Sequence, residues 1–403
     1  MTLQIVSACA SGHGGPSPAG EKEPVVHDIA PPFQGAVGNL SPDFRDDGPG
    51  SLVSVTPMAG ATELEDIDAT YMRVVYRSTY GMDDSPTEVS GVVAIPAGQA
   101  PKGGWPVISF GHGTTGVLNK CAPSNFGTLP GNSAMMAAMI SNGFAVTSTD
   151  YQGLGVPGYY HPFLDAKTFG NNMIDAVRAA ERVGADVSNK WIAFGHSLGG
   201  MAAWAAADRA GVYGKGLNLL GTLSMAPAAD MAGLADKAQD GTLTEEQRVA
   251  MVFVLQSLSW SHPDLDLNRY RSGYTAEHWD EILDCLPANL DDIGQTRSGM
   301  LASDLKPATQ ADTDRLRALL AAYALPQNRP TGPMRVVYGT EDTLVDAAWT
   351  EGALKKVCEL GADVEIDKRI GQGHGDLDSA FGLPWMRDVL GGQTVVSSCL
   401  GSS

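Results

Sequence analysis

Trp191-Ile192-Ala193-Phe194-Gly195-His196-Ser197-Leu198-Gly199-Gly200-Met201-Ala202-Ala203-Trp204-Ala205-Ala206-Ala207-Asp208-Arg209-Ala210 is the stretch on which the reading of this chain turns. Four apolar residues of buried-strand type run into a serine flanked by glycines, and an alanine-rich segment of high helix propensity follows at once. A serine lifted above the end of a sheet needs a sharp strand-to-helix turn that holds it in a strained conformation. The residues two positions away on either side then nearly collide. Gly195 and Gly199 have no side chains to collide. The helix that follows aims its positive N-terminal end at the serine, which favours an anion developing there. Bare G-x-S-x-G spacing is common by chance; the strand before it and the helix after it make Ser197 a candidate nucleophile.

Outward from this turn the chain alternates short apolar runs with helical patterns. Tyr71–Thr79 and Thr87–Ile95 alternate and are rich in Val, separated by a turn-forming GMDDSP, which predicts an antiparallel pair. Trp105–Phe110, Phe144–Thr149, Lys190–Phe194, Leu219–Met225, Met334–Tyr338 and Val364–Ile370 are of buried-strand type. A helix is expected over Phe169–Gly184, where Met173, Val177 and Ala180 share one face. The pattern predicts an α/β fold with a mostly parallel eight-stranded sheet and helices on both faces. The rhythm breaks from Asp230 to Pro330, a long and mainly helical insertion between two strands. The domain reading is therefore a tail over 1–40, a core over 41–229 and 331–403, and an inserted helical segment over 230–330.

A serine hydroxyl needs a base to take its proton and an acid to orient that base. Position removes most of the eight histidines. His13 and His27 lie in the tail, His112 in another loop, and His196 beside Ser197, where it should point elsewhere. His161, His262 and His278 precede the last two predicted strands. His374 sits in Gly371-Gln372-Gly373-His374-Gly375-Asp376, just past a strand, where a base can reach over the strand ends. Met334–Tyr338 leads into Gly339-Thr340-Glu341-Asp342, with a carboxylate just beyond a buried strand. Asp342 is preferred over Glu341 and Asp346 for its G-x-x-D position. The order Ser197, Asp342, His374 is that of α/β-hydrolases. For the oxyanion, one N–H is expected from Leu198 and a second from Thr114 or Thr115, in the glycine-rich loop after Trp105–Phe110.

Gly153-Leu154-Gly155-Val156-Pro157-Gly158 matches a dinucleotide fingerprint, but Pro157 and the residues after it prevent the immediate helix that would hold a pyrophosphate. No cofactor is implied, and the Cys and His spacings outline no metal site. The 403 residues hold 27 basic and 46 acidic side chains, a net charge of −19, which argues against nucleic acid or an anionic membrane as the main partner. Hydrophobic residues at 43% allow a large core, and no apolar run is long enough to span a membrane.

Three segments, WPVISFGHGTTGVLNKCAPS, STDYQGLGVPGYYHPFLD and WIAFGHSLGGMAAWAAADRA, resemble the secretory lipase family in order and spacing. The resemblance covers roughly Ala69 to the C-terminus. It implies an α/β-hydrolase fold, a helical lid inserted after the sixth strand, and action on carboxylic esters. On this chain it makes Ser197 the nucleophile, Asp342 the acid and His374 the base. It also implies disulfides Cys121–Cys285 and Cys358–Cys399, leaving Cys9 unpaired. The first would close a long loop, worth about 4–5 kcal/mol in a chain-entropy model. Within the insertion, Met251, Phe253 and Trp260 are candidates to line an acyl tunnel, or equally to be the helices' own packing.

The expected partner is a small-molecule or lipid ester, with contact at a lipid or polymer surface, and the protein itself is expected to be a monomer. Short-chain ester, triacylglycerol and synthetic polyester remain open. A peptidase or acyltransferase on the same core is a second class of reading, and a non-catalytic envelope protein a third. Val6-Ser7-Ala8-Cys9 resembles a lipobox cut short, with only eight residues before the cysteine. It favours secretion or the cell envelope, with Cys9 as the lipidation point.

Overall fold

The computed structural model describes residues 48–183, 186–378, 382–393 and 395–401. Cys9, His13, His27 and the whole 1–40 tail lie outside them. Among the described residues nine strands form one sheet: β1 (Leu52–Pro57), β2 (Thr70–Thr79), β3 (Pro86–Ile95), β4 (Trp105–Gly111), β5 (Ala145–Thr149), β6 (Val187–His196), β7 (Asn218–Met225), β8 (Met334–Gly339) and β9 (Val364–Arg369). Their order is β1-β2-β3-β5-β4-β6-β7-β8-β9, antiparallel from β1 through β5 and parallel from there to β9.

The expected count of eight is thus short by one. β1 is an edge strand whose register with β2 is broken between Leu52 and Ser54. Six residues with one irregular pairing leave too little alternation to register as a strand. With β1 counted, the insertion follows the seventh strand rather than the sixth.

Through the centre of the sheet, successive residues face opposite sides. Trp191 and Ala193 join one hydrophobic core, Ile192 and Phe194 the other. Helices cover both, as a parallel sheet requires. The core-building helices before the insertion are α1 (Thr62–Glu65), α2 (Ser133–Ser141), α3 (Ala166–Glu181) and α4 (Leu198–Tyr213). α3 begins at Ala166, three residues before the predicted start; Asp165 before it holds an extended conformation, and its carboxylate accepts the Thr168 hydroxyl.

The chain leaves β7 into six helices before it returns to β8: α5 (Gly233–Asp240), α6 (Glu245–Ser261), α7 (Gly273–Glu277), α8 (Trp279–Leu283), α9 (Leu290–Ser298) and α10 (Gln310–Tyr323). α11 (Ala347–Glu359) and α12 (Gly382–Leu390) follow β8 and β9. α3, α4 and α11 pack on one face of the sheet, α2 and α12 on the other. Cys121–Cys285 ties the insertion to the segment after β4, and Cys358–Cys399 ties α11 to the C-terminal segment. Among the described residues no helix is long and apolar enough to cross a membrane.

Candidate active site

Ser197 stands between β6 and α4 at φ 61°, ψ −121°, a left-handed conformation that a side-chain-bearing residue adopts only where its surroundings enforce it. The enforcement is backbone against backbone. A methyl group on Gly199 would collide with the Gly111 carbonyl, and one on Gly195 with the Gly199 carbonyl. The Ser197 N–H is held by the Met225 carbonyl at 2.9 Å, which links the turn to the neighbouring strand end.

Asp342 and His374 arrive on the loops after β8 and β9. The loops are cross-tied: Glu341 N–H donates to the Gln372 carbonyl at 2.9 Å and Gly371 N–H to the Thr340 hydroxyl at 2.9 Å. His374 Nδ1 lies 2.7 Å from Asp342 Oδ2, and its Nε2 lies 2.8 Å from Ser197 Oγ. A carboxylate only accepts, so Nδ1 carries the proton and Nε2 is free to accept from the serine hydroxyl. The second oxygen of Asp342 accepts from the N–H groups of Leu344 (2.9 Å) and Val345 (2.8 Å), which fixes the plane of the carboxylate.

The competing acids are occupied elsewhere or turned away. Asp346 binds Lys237 and Gln247, and Glu341 meets the His374 loop through its backbone alone among the contacts described.

His196, which adjacency to Ser197 had set aside, contributes to the site in a way its position in the chain does not reveal. Its Nε2 donates to the His374 carbonyl at 2.9 Å, and the two rings lie 5.0 Å apart. Burial, reinforced by the neighbouring His374, pushes its pKa down to about 4, so it donates as a neutral imidazole. Of the others, His112 and His161 are buried against backbone carbonyls, and His278 pairs with Glu281.

A recess of about 300 Å³, counted out to the solvent opening, lies over Ser197. Thr114 and Leu198 are among the residues that line it. Leu198 is the first residue of α4, so its N–H has no acceptor within the helix. Thr115 is not in the lining; its hydroxyl is buried with no hydrogen-bond partner among the described residues. The loop carrying both is braced by the Tyr151 hydroxyl on the His112 carbonyl at 2.9 Å, and Gly116 packs directly on the Cys121–Cys285 disulfide.

From the insertion the recess takes Met231 and Ala250, not Met251, Phe253 or Trp260. α6 is apolar on nearly every side, as a helix buried all round must be. Met251 and Phe253 point into that packing at 0% and 2% exposure. Phe253 meets Phe163 edge-on at 5.9 Å, and Trp260 lies beside Tyr160 at 6.5 Å. Ala250, too small to stand out in a sequence, faces the recess instead.

The Gly153–Gly158 loop is a structural one. Gly155 donates its N–H to the Asn119 carbonyl at 2.9 Å and accepts from Arg73 at 2.8 Å, and no helix begins before Ala166. Among the described residues no cluster of three or more His, Cys, Asp or Glu could hold a metal ion.

The secretory lipase family model matches residues 125–398. A Mycobacterium tuberculosis protein described as a probable inactive lipase is 25% identical over 349 residues, 80% of this chain and 74% of that protein. Candida antarctica lipase A in its closed state superposes with a TM-score of 0.69 at 16% identity, covering 91% of this chain and 88% of that one. The rice cell wall degrading esterase LipA of Xanthomonas oryzae superposes at 0.65 with 19% identity, covering 85% and 96%. At these identities the two structures establish a shared fold.

Proposed function

The chain belongs to the secretory lipase family, and on that premise we propose that it is a serine carboxylic ester hydrolase working through an acyl-enzyme. The observation that carries this is the continuous hydrogen-bonded chain Asp342–His374–Ser197 at the base of an apolar recess. In this reading Ser197 Oγ attacks the ester carbonyl as His374 Nε2 takes its proton. Asp342 holds the imidazole in the required tautomer and stabilises its charged form. The N–H groups of Leu198 and Thr114 receive the oxyanion. His374 then returns the proton to the departing alcohol, and water, activated the same way, frees the acid. Residues 230–330 act as the helical cover of the site. The two disulfides suit an oxidising compartment, which agrees with export.

The inactive description of the mycobacterial relative favours one competing reading, a protein that keeps the fold without the chemistry. One experiment separates the two: fluorophosphonate labelling and p-nitrophenyl acetate turnover by the wild type and Ser197→Ala. The wild type is expected to label and turn over, with the variant unlabelled and at least about 10⁴-fold slower. An unlabelled wild type, or undiminished turnover in the variant, overturns the proposal.

A further inference from the structure

We propose that the acyl group taken by this site is short, up to about six carbons, because helix α6 forms a fixed wall across the recess; the proposal rests on the ester hydrolase reading above. The recess measures about 300 Å³ even when counted out through its opening into solvent, so the part enclosed by protein is smaller still. Its side-chain polar groups are the hydroxyls of Ser197 and Thr114, with no charged residue in the lining, so the acyl group it suits is neutral. Ala250 closes it from α6 and Met231 from the segment after β7.

A longer chain turned towards α6 would meet Val249, Val252, Val254, Leu255 and Leu258, all packed away from solvent. Opening a path there would replace close packing by a cavity.

The wall is also tied at both ends to residues that bound the recess. At the start of α6 the Thr244 hydroxyl donates to the Thr343 carbonyl at 2.9 Å. The Gln247 amide, wholly buried, donates to the Leu344 carbonyl at 3.1 Å and to Asp346 Oδ1 at 2.9 Å. Lys237 of α5 adds its ammonium to Asp346. Towards the end of α6 the Ser257 hydroxyl donates to the His161 carbonyl at 2.7 Å and accepts from Phe163 N–H at 2.8 Å. Leu344 and Phe163 themselves line the recess. Moving α6 outward therefore strands buried donors and acceptors on both partners at once.

The test is a p-nitrophenyl ester series from acetate to palmitate on the wild type, Ala250→Leu and Met231→Ala. In the wild type kcat/KM is expected to peak at hexanoate or shorter and to be at least about tenfold lower at decanoate. Ala250→Leu is expected to lower the butyrate-to-acetate ratio about tenfold, and Met231→Ala to move the optimum to longer chains. A wild-type optimum at decanoate or beyond overturns the acyl limit while leaving the ester hydrolase reading intact. So do unchanged profiles in both variants when their melting temperatures match the wild type. No turnover of any ester by the wild type overturns both.

Discussion

Around Ser197 the chain closes backbone on backbone: Gly195, Gly199 and Gly111 meet with no room for a methyl group, and the serine sits at positive φ as a result. Helix α6, which overhangs the same recess, is held through the side chains of Thr244, Gln247 and Ser257, each reaching a partner about a hundred residues away in the chain. The first arrangement tolerates almost no change, because a carbonyl cannot step aside. The second should yield by degrees, one hydrogen bond at a time.

The largest effect should come from Gly199→Ala, which drives a methyl group into the Gly111 carbonyl. Expected are a cost above about 4 kcal/mol and loss of soluble, labelled enzyme. A wild-type melt with full fluorophosphonate labelling would show that the turn has slack and break the comparison.

Asp342→Asn comes next and touches chemistry more than fold. The amide oxygen can still accept from Leu344 and Val345, but His374 loses the partner that fixes its tautomer. kcat should fall about 10³- to 10⁴-fold with the melting temperature within a few degrees of the wild type.

Asp208, on α4, joins the two regions: its Oδ2 accepts the N–H groups of Gln327 and Asn328, where the insertion returns to the core. Burial pushes this carboxyl up to about 7, against the pull of those two N–H groups. A folded pKa above the unfolded one means that the folded protein binds the proton more tightly. The stability this gives is complete below about pH 4 and is lost as the pH rises towards 7. Denaturant melts at pH 4 and pH 8 should therefore show Asp208→Asn gaining on the wild type at the higher pH, by up to roughly 4 kcal/mol. An equal difference at both values would place the ionisation elsewhere.

Gln247→Leu should have the smallest effect. It leaves the Leu344 carbonyl unpaired and frees the start of α6, for about 1–3 kcal/mol of stability. Collapse of the fold on this one change would mean that the insertion is as intolerant as the turn.

Much of this molecule could be read before any coordinates. The strands of the central sheet are legible because residues buried on both faces are apolar throughout, and Ser197 because its glycines and its flanking strand and helix are adjacent in the chain. Asp342 and His374 stand out by their place after the last two strands. β1 escapes because an edge strand with a broken register has little periodicity to show. Met251 and Phe253 attract attention as large apolar residues, but on a helix buried on nearly all sides hydrophobicity cannot say which face borders the recess. Only packing shows that Ala250 does.

By itself the sequence determined the order of elements, the sharp turn at the serine and the loops on which an acid and a base could sit, because each is set by neighbours a few residues apart. Only the tertiary structure decided that His196 braces the His374 loop from 178 positions away, that Thr114 rather than Thr115 borders the recess, and that the insertion is tied down at both ends of α6. Such contacts join side chains whose separations follow no helical or strand period, so nothing local marks them. They exist once the sheet has brought the strand ends together.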